Sequence, residues 1–552
     1  MTTQSSKPKL IHSNHADGQP ASKLLVLIHG YFRTTESLRP LANVLRQDEA
    51  LKEYDILLVP YRVGRLFNAD PNDLAIGLIN AITSTLSDGL QYKTITLLGH
   101  SLGGLLVRHM YLIAKGVTKV DKAVIYRTWT ERVDTIVLVS TPNRGLSLQK
   151  YSRLARVAIR LVARLGLAKL IDSMLQGSEF IVNLRLSWME EMYKQGEAAP
   201  KVVQVLGRKD DMVRREDSID VVQFQNACHL FVDNETHDSI IDVREGDEKY
   251  LVIRDAIIGG ERLKQAAAKS PAGMDDGKPT AKQASAVVFL VHGIRDYGAW
   301  LEPLDQALRQ RDPQILPIKS SYDYFSLLQF VLTPLRRSKV AWFRDEYTQV
   351  RATYPGVPIH YIGHSNGTYI LANTLKRFQS IKVDRVYFAG SVLPRNFDWN
   401  ELFDNGQLKL LRNDCAAADW PVGVVCAGLS WIMPRELGIA GYQGFTYDDG
   451  ARARQLRYIA GGHGAALDGA DKQASVADFI TGRRDADPPL VTEPKQWFEV
   501  ANKAAPVLLL LGLMLLAAIL AGLVQLATTA GMLGIAGALF GLAALVMFFL
   551  RF

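Results

Sequence analysis

Residues 94–104 read TITLLGHSLGG, and this stretch decides the fold prediction. Its first half is an apolar run of strand length, and the residues after Ser101 have the spacing of a helix. Ser101 lies at the centre of a G-x-S-x-G motif, in which a serine occupies a sharp turn between a strand and a helix. Small residues on both sides let the strand and the helix approach each other. The motif therefore predicts a serine hydroxyl that is held clear of the fold.

The same pattern occurs a second time. Residues 358–368 read PIHYIGHSNGT and place Ser365 in a second G-x-S-x-G motif. Upstream, LLVLIHGYF at 24–32 recurs as VVFLVHGIR at 287–295. The spacing from His29 to Ser101 is 101 − 29 = 72 residues, and that from His292 to Ser365 is 365 − 292 = 73 residues. We therefore expect two copies of one fold in tandem.

The length and the element pattern predict the domain organisation. The chain has 552 residues, several times the ~150 residues of a typical domain. Short apolar strands alternate with helical segments, which indicates an α/β fold with mostly parallel sheets flanked by helices. We predict a disordered N-terminus at 1–22, a domain at 23–262 with a helical cap at about 146–200, a linker at 263–285, a second domain at 286–483, a juxtamembrane linker at 484–503 and a membrane segment at 504–552.

Composition excludes several classes of protein. Hydrophobic residues make up 48% and charged residues 22%, which is typical of a globular chain and not of a disordered or collagen-like one. The net charge of +8 suits an anionic membrane surface, but it is too diffuse to indicate a nucleic-acid partner. Three cysteines without a C-x-x-C spacing predict buried thiols in a reducing compartment, and neither a disulfide framework nor a metal site.

The C-terminal segment predicts a membrane hairpin. Residues 504–550 contain no charged side chain, and as one helix they would span about 70 Å, more than twice the ~30 Å hydrocarbon core. A break at 525–531 gives two spans, 506–524 and 532–550. Lys503 and Arg551 then lie on one side, which the positive-inside tendency makes cytoplasmic, together with both soluble domains. The alternative is a pair of buried core helices.

These motifs resemble the α/β-hydrolase superfamily over about residues 23–483. Phrases such as STPNRG at 140–145 resemble lipase-type and glycosylphosphatidylinositol-deacylase-like hydrolases. The resemblance implies an oxyanion hole in each copy, formed by backbone N–H groups. The residues implied are Tyr31 or Phe32 with Leu102 in the first copy, and Ile294 with Asn366 in the second. Thr368 departs from the second glycine that lipase-like elbows carry, which leaves the second copy's substrate class less defined.

The resemblance also implies the order serine, acid, histidine in each copy. After Ser101, the family pattern G-x-x-D-x-x-V favours Asp210 over its neighbour Asp211. His109, His229 and His237 are the histidine candidates. His237 fits best because it lies in a loop before a helix, whereas His109 lies within the helix after the serine and His229 lies in an apolar strand.

In the second copy the histidine is nearly forced. Downstream of Ser365 the chain contains a single histidine, His463, so no other imidazole remains there to accept the serine proton. Asp414 and Asp419 both follow a strand candidate at 408–411. Asp419 is favoured because it repeats the D-x-x-V pattern. His29 and His292 are expected to shape the oxyanion turns and not to act as bases.

The sequence thus predicts a membrane-anchored serine hydrolase that cleaves acyl esters of lipids at two sites, without a cofactor or metal. Four arginines share one face of a predicted helix at 151–164, which suits an anionic bilayer or an acyl channel, or else a cap helix packed on its own domain. One alternative is a single catalytic domain with a degenerate binding domain. Another is a membrane scaffold that forms homo-oligomers through Gly537 and Gly541, a GxxxG pair.

Overall fold

The computed structural model describes residues 8–12, 21–31, 33–61, 69–87, 91–121, 123–146, 169–210, 227–268, 284–294, 299–320, 326–483, 491–529, 535, 539 and 541. The chain divides into two compact units, Met1–Lys278 and Pro279–Phe552. Each unit has its own β-sheet.

The sheet of the first unit has seven strands in the order β1-β3-β2-β4-β5-β6-β7. All neighbouring strands are parallel except β1, which pairs antiparallel with β3. The strands are β1 (Lys9–Ile11), β2 (Lys23–Ile28), β3 (Tyr54–Leu58), β4 (Thr94–His100), β5 (Val133–Val139), β6 (Lys201–Gly207) and β7 (Ala227–Val232). The helices are α1 (Arg39–Gln47), α2 (Pro71–Ser87), α3 (Leu102–Ala114), α4 (Lys169–Met174), α5 (Glu179–Gln195), α6 (Glu248–Ile258) and α7 (Glu261–Ala268).

Strand β2 shows why the central strands read as continuous apolar runs. Leu24, Val26 and Ile28 lie in one hydrophobic core, whereas the alternating residues Leu25 and Leu27 lie in a second core. Successive side chains of a strand point to opposite faces, so both faces of the sheet are covered. The apolar run therefore fixes β2 in the middle of the sheet, and the loop that follows it emerges next to the end of β4.

The sheet of the second unit has six parallel strands in the order β13-β12-β11-β10-β8-β9. Read from β9, this order matches that of β3-β2-β4-β5-β6-β7 in the first unit. The strands are β8 (Ala286–Val291), β9 (Ile315–Ser320), β10 (Ile359–His364), β11 (Val383–Ala389), β12 (Leu408–Ala416) and β13 (Ala453–Ile459). The helices are α8 (Leu301–Arg311), α9 (Leu327–Val331), α10 (Thr333–Thr353), α11 (Asn366–Arg377), α12 (Trp399–Asp404), α13 (Ala427–Ile432), α14 (Ala440–Gln443), α15 (Ala470–Thr481) and α16 (Gln496–Thr529).

Three predicted boundaries are wrong. The segment predicted as disordered at 1–22 contains β1, because its backbone pairs with the otherwise open edge of β3. Helix α7 continues the first unit through residues predicted as linker, and Leu263 is buried in its core. The predicted juxtamembrane linker at 484–503 contains the first turns of α16, since Phe498 and Asn502 are buried in the second unit.

Helix α16 is 34 residues long and is the one helix within the described ranges that is long and apolar enough to cross a membrane. Its most apolar window has a mean hydropathy of 3.0 and is not buried by the protein. The break predicted at 525–531 is wrong for its first five residues, which continue the helix. Thr528 and Thr529 donate hydrogen bonds to carbonyls one turn earlier, so their hydroxyls are satisfied within the helix. Most of the second predicted span lies outside the described residues.

Candidate active site

Both motif serines occupy the same strained turn. Ser101 has φ 53° and ψ −121°, and Ser365 has φ 54° and ψ −120°. A positive φ is uncommon for a residue with a side chain, and such strain is concentrated at functional sites. A Cβ on Gly103 would lie 2.4 Å from the His29 carbonyl oxygen, so only glycine lets α3 pack under the loop after β2. The sequence motif thus folds into the turn that it predicts.

The structure brings together the three residues predicted in the first unit. Nε2 of His237 lies 2.9 Å from Oγ of Ser101, and Nδ1 of His237 lies 3.1 Å from Oδ2 of Asp210. Asp210 follows β6 and is fully buried, while His237 follows β7 and is nearly so. A carboxylate beside Nδ1 fixes the tautomer with the proton on that nitrogen, which leaves Nε2 able to accept the serine proton.

In the second unit, His463 meets Asp419. Nδ1 of His463 lies 2.8 Å from Oδ1 of Asp419, which is fully buried. The same carboxylate oxygen accepts a hydrogen bond of 3.0 Å from the backbone N–H of Val422. The imidazole of His463 lies beside the second elbow. Its ring centroid is 4.6 Å from that of His364, the residue before Ser365.

The rival candidates have other partners. Asp414 forms a buried ion pair with Arg412 at 2.9 Å and accepts a hydrogen bond of 2.8 Å from the Tyr387 hydroxyl. His109 hydrogen-bonds Asn72 at 2.8 Å, and burial lowers its pKa to about 4. His229 lies in β7. Asp211 lies outside the described residues.

One positioning contact was not foreseen from the sequence. Nε2 of His100, the residue before Ser101, lies 2.9 Å from the backbone carbonyl oxygen of His237. Burial lowers the pKa of His100 to about 4, so the ring is neutral and donates its proton to that carbonyl. His364 makes the equivalent contact with the carbonyl of His463 at 3.2 Å. The sequence feature that could have predicted this contact is the histidine that precedes the serine in both motifs.

The predicted oxyanion residues that the structure describes flank the two elbows, since Gly30 and Gly293, just before Tyr31 and Ile294, approach Ser101 and Ser365 closely. In both copies the histidine of the His-Gly motif hydrogen-bonds through Nδ1 to the next carbonyl, at 2.9 Å for His29 and 2.8 Å for His292, which holds the turn. Tyr31 and Ile294 follow these turns directly. Leu102 and Asn366 are the first residues of α3 and α11. Phe32 lies outside the described residues.

A cavity of about 530 Å³ lies beside the second site. Its lining includes His463, together with apolar side chains of Trp300, Pro303 and Leu467 and the cationic Lys472. The lining also includes Asp468, and Ser365 is not part of it. Across the described ranges, no group of three or more His, Cys, Asp or Glu residues is arranged to hold a metal ion.

Residues 19–154 match a serine esterase family. Its description reads "Putative serine esterase (DUF676)". The matched stretch contains the first elbow with Ser101 and ends before Asp210 and His237. It covers less than half of the chain. No curated protein matches.

Several solved structures resemble parts of the chain. The monoacylglycerol lipase of Paleococcus ferrophilus is 13% identical with a TM-score of 0.32, over 46% of this chain and 98% of that one. A soluble variant of monoglyceride lipase from Saccharomyces cerevisiae is 13% identical with a TM-score of 0.31, over 46% and 89%. The mouse α/β hydrolase domain-containing protein 10 is 14% identical with a TM-score of 0.30, over 46% and 95%. Likenesses this distant carry no argument about substrate. The described residues form an α/β fold with two mostly parallel sheets, and residues 19–154 are similar to a serine esterase family.

Proposed function

We propose that the chain is a serine hydrolase that cleaves acyl esters through an acyl-enzyme. The observation that carries the proposal is the relay in the first unit, where Ser101, His237 and Asp210 are joined by contacts of 2.9 and 3.1 Å. These three side chains come from positions as much as 136 residues apart in sequence. A buried carboxylate, an imidazole and a hydroxyl on a strained turn are the parts that this chemistry requires.

The chemistry follows from the geometry. Oγ of Ser101 attacks the ester carbonyl while Nε2 of His237 takes its proton, and Asp210 stabilises the resulting imidazolium. Backbone N–H groups at Leu102 and after Gly30 stabilise the negative charge that develops on the carbonyl oxygen. The imidazolium then gives its proton to the leaving alcohol. Water, deprotonated by the same imidazole, releases the acid from the serine.

We propose that the second unit is a second working hydrolase domain. Its strand order, the backbone angles of Ser365 and the contact between His463 and Asp419 support this proposal. The alternative, a degenerate binding domain, predicts that Ser365 does not react.

A lipid substrate and a membrane anchor are the further parts of the proposal. The apolar window of α16 is not buried by the described part of the chain, as a core helix would be. A Cβ on Gly541 would lie 2.6 Å from the side chain of Leu523, although a straight helix would separate these residues by about 27 Å. That contact supports a hairpin, and with Lys503 and Arg551 on one side both units would face the cytoplasm. The basic helix predicted at 151–164 lies outside the described residues.

Labelling with a fluorophosphonate probe tests whether both sites work. We expect Ser101→Ala and Ser365→Ala to remove one labelled peptide each, and the double variant to remove both. Ser84→Ala, at an exposed serine of α2, is the matched control and should leave both labelled peptides. Loss of all label in Ser101→Ala alone would establish the degenerate-domain alternative.

The substrate class is tested with the full-length protein in liposomes. We expect long-chain acylglycerols or phospholipids to be hydrolysed with a higher kcat/KM than soluble short-chain esters, and each serine variant to lose part of that activity. A preference for soluble esters would reject the lipid substrate without rejecting the hydrolase.

A further inference from the structure

The helical segment Pro421–Ile432 connects the second site to an exposed apolar surface. It begins two residues after Asp419 and ends with Trp431 and Ile432, whose side chains are 70% and 54% exposed. Gly428 and Leu429, earlier on the same helix, are buried. The proposed chemistry uses neither Trp431 nor Ile432. Large apolar side chains that are exposed next to each other are candidates for contact with a protein or a membrane.

This segment packs alongside the first part of α16. The carbonyl oxygen of Gly423 accepts a hydrogen bond of 2.5 Å from Nδ2 of Asn502. Five residues later, a Cβ on Gly428 would lie 3.0 Å from both the carbonyl oxygen of Ala505 and Cβ of Leu509. The contact points advance together along both helices, so the two helices run side by side in the same direction.

The shared direction of the two helices shows which part of α16 lies beside Trp431 and Ile432. Trp431 and Ile432 lie three and four residues past Gly428, or about 5 Å further along the axis. They therefore lie alongside the part of α16 beyond Leu509. Lys503 is the last charged residue before the apolar run, so this level is about 10 Å inside that run.

We propose that Trp431 and Ile432 are immersed in the lipid bilayer beside α16, so that the second unit contacts the membrane through its own surface as well as through its anchor. This rests on the proposed anchoring by α16. The level matches the ~5–10 Å to which interfacial apolar groups enter a bilayer. An indole is also the side chain that favours the boundary between lipid and water.

Both ends of the segment are tied to the second site. At its start, the backbone N–H of Val422 donates to the carboxylate of Asp419, and that of Gly423 donates to the carbonyl of Asp419. Just after its end, Glu436 accepts a hydrogen bond of 2.6 Å from the hydroxyl of Tyr369, on the helix that begins after Ser365. A bilayer contact at Trp431 therefore holds this site at the membrane surface, where the acyl ester of a lipid is the substrate within reach.

The experiment uses single cysteines in the full chain, because the native thiols Cys228, Cys415 and Cys426 are all buried. Trp431→Cys is labelled with an environment-sensitive nitrobenzoxadiazole dye and reconstituted in vesicles of phosphatidylcholine and phosphatidylglycerol. Leu515→Cys reports on the anchor itself. Lys409→Cys is the water-exposed control, since it lies at the start of β12, at the end of that strand away from Asp419.

We expect spin-labelled lipids to quench the dye at 431 and at 515 but not at 409. Quenching at 515 alone would overturn this proposal but not the proposed anchor. The same holds if residue 431 is buried against a second copy of the chain and not in lipid. Absence of quenching at both would overturn the anchor and the proposal together. Quenching at 409 as well would show non-specific adsorption and would also overturn it.

A second variant gives an activity readout. In a Ser101→Ala background, where only the second site works, Trp431→Ser with Ile432→Ser should lower the hydrolysis of bilayer lipids and leave kcat/KM for a soluble short-chain ester unchanged. If the variant hydrolysed both the bilayer lipid and the soluble ester at the parental rates, the proposal would be overturned.

Discussion

Replacing Gly293 by alanine tests whether the loop after β8 lies against Ser365 as the proposed oxyanion hole requires. A Cβ at this position would lie 2.5 Å from Cβ of Ser365 and 3.1 Å from its Oγ. Because carbon atoms in ordinary contact are about 3.5–4.0 Å apart, the loop or the serine must move by about 1 Å. A displacement of this size at reacting groups costs about 10² in rate. We therefore expect Gly293→Ala to lower kcat/KM about 100-fold.

The equivalent change in the first unit should be milder. A Cβ on Gly30 would lie 3.1 Å from Cβ of Ser101, a shortfall of only about 0.4 Å, so the serine itself is displaced less than in the second unit. The nearest atom to that Cβ is Nδ1 of His100, at 2.9 Å, so part of the strain falls on the ring of His100. Gly464→Ala is the control, because this glycine follows His463 directly, has an ordinary φ of −90°, and has nothing within 4 Å of an added Cβ. It should leave the rate unchanged.

The assay is hydrolysis of a soluble p-nitrophenyl ester by the full-length protein in micelles, with the serine of the other unit replaced by alanine. Thermal unfolding of each variant separates loss of the site from loss of the fold. If Gly293→Ala kept parental kcat/KM and an unchanged melting temperature, the loop would not lie where the structure places it, and the proposed oxyanion hole would fail.

Three other substitutions give measurable outcomes. Asp419→Asn, in a Ser101→Ala background, should lower kcat about 10⁴-fold because an amide favours the wrong tautomer of His463. His109→Gln should flatten the dependence of unfolding free energy on pH. The pKa of this histidine is lowered to about 4, so the stability is full above pH 6.5 and is lost as the pH falls toward 4, by up to about 1.4 kcal/mol per pH unit. Gly104→Thr should destabilise the first unit, because its Cβ would lie 1.9 Å from Oγ1 of Thr141, and adding Thr141→Ser should recover part of the loss.

Each of these has a contrary result. Asp414→Asn should lower the free energy of unfolding by about 3–5 kcal/mol, since it breaks the buried pair with Arg412. If Asp414→Asn lowered kcat more than Asp419→Asn does, Asp414 and not Asp419 would be the acid. An unchanged pH slope in urea titrations of His109→Gln would show that this ring is not buried in neutral form. Additive losses in the Gly104 and Thr141 variants would show that the two side chains do not share one space.

The sequence predicts the elements around the elbows because local patterns determine them. Helix α3 begins directly after Ser101, as the motif predicts, and β4 follows from one apolar run. The acid of the second unit was harder to choose, since Asp414 and Asp419 follow the same strand. In the structure Asp414 pairs with Arg412 and Tyr387, whereas Asp419 lies beside His463, and such pairing depends on how strands are arranged in space.

The docking of α16 on the second unit was not predictable for the same reason. A run of apolar residues indicates a membrane span, but it carries no information about which turns of the helix are covered by protein. Asn502 provides the missing information only in the folded chain. Its side chain donates to the carbonyl of Gly423, 79 residues earlier, and accepts from Gln443.

The threonine in the second elbow does not by itself indicate a degenerate site. The N–H of Ser101 bonds to the carbonyl of Val139 and that of Ser365 to Ala389, so Thr141 and Ser391, two residues beyond these carbonyls, occupy equivalent places. In the first unit Gly104 lies against the larger Thr141, whereas the second unit has the larger Thr368 after its serine and the smaller Ser391 at the place of Thr141. Oγ1 of Thr368 also donates to the carbonyl of Ser365 and accepts from the N–H of Val392. The larger residue thus follows the serine in the second unit and follows the neighbouring strand in the first, while φ and ψ of the two serines agree within 1°. The second elbow therefore keeps the backbone turn of the first with different side chains around it, which supports the proposal of a second working serine.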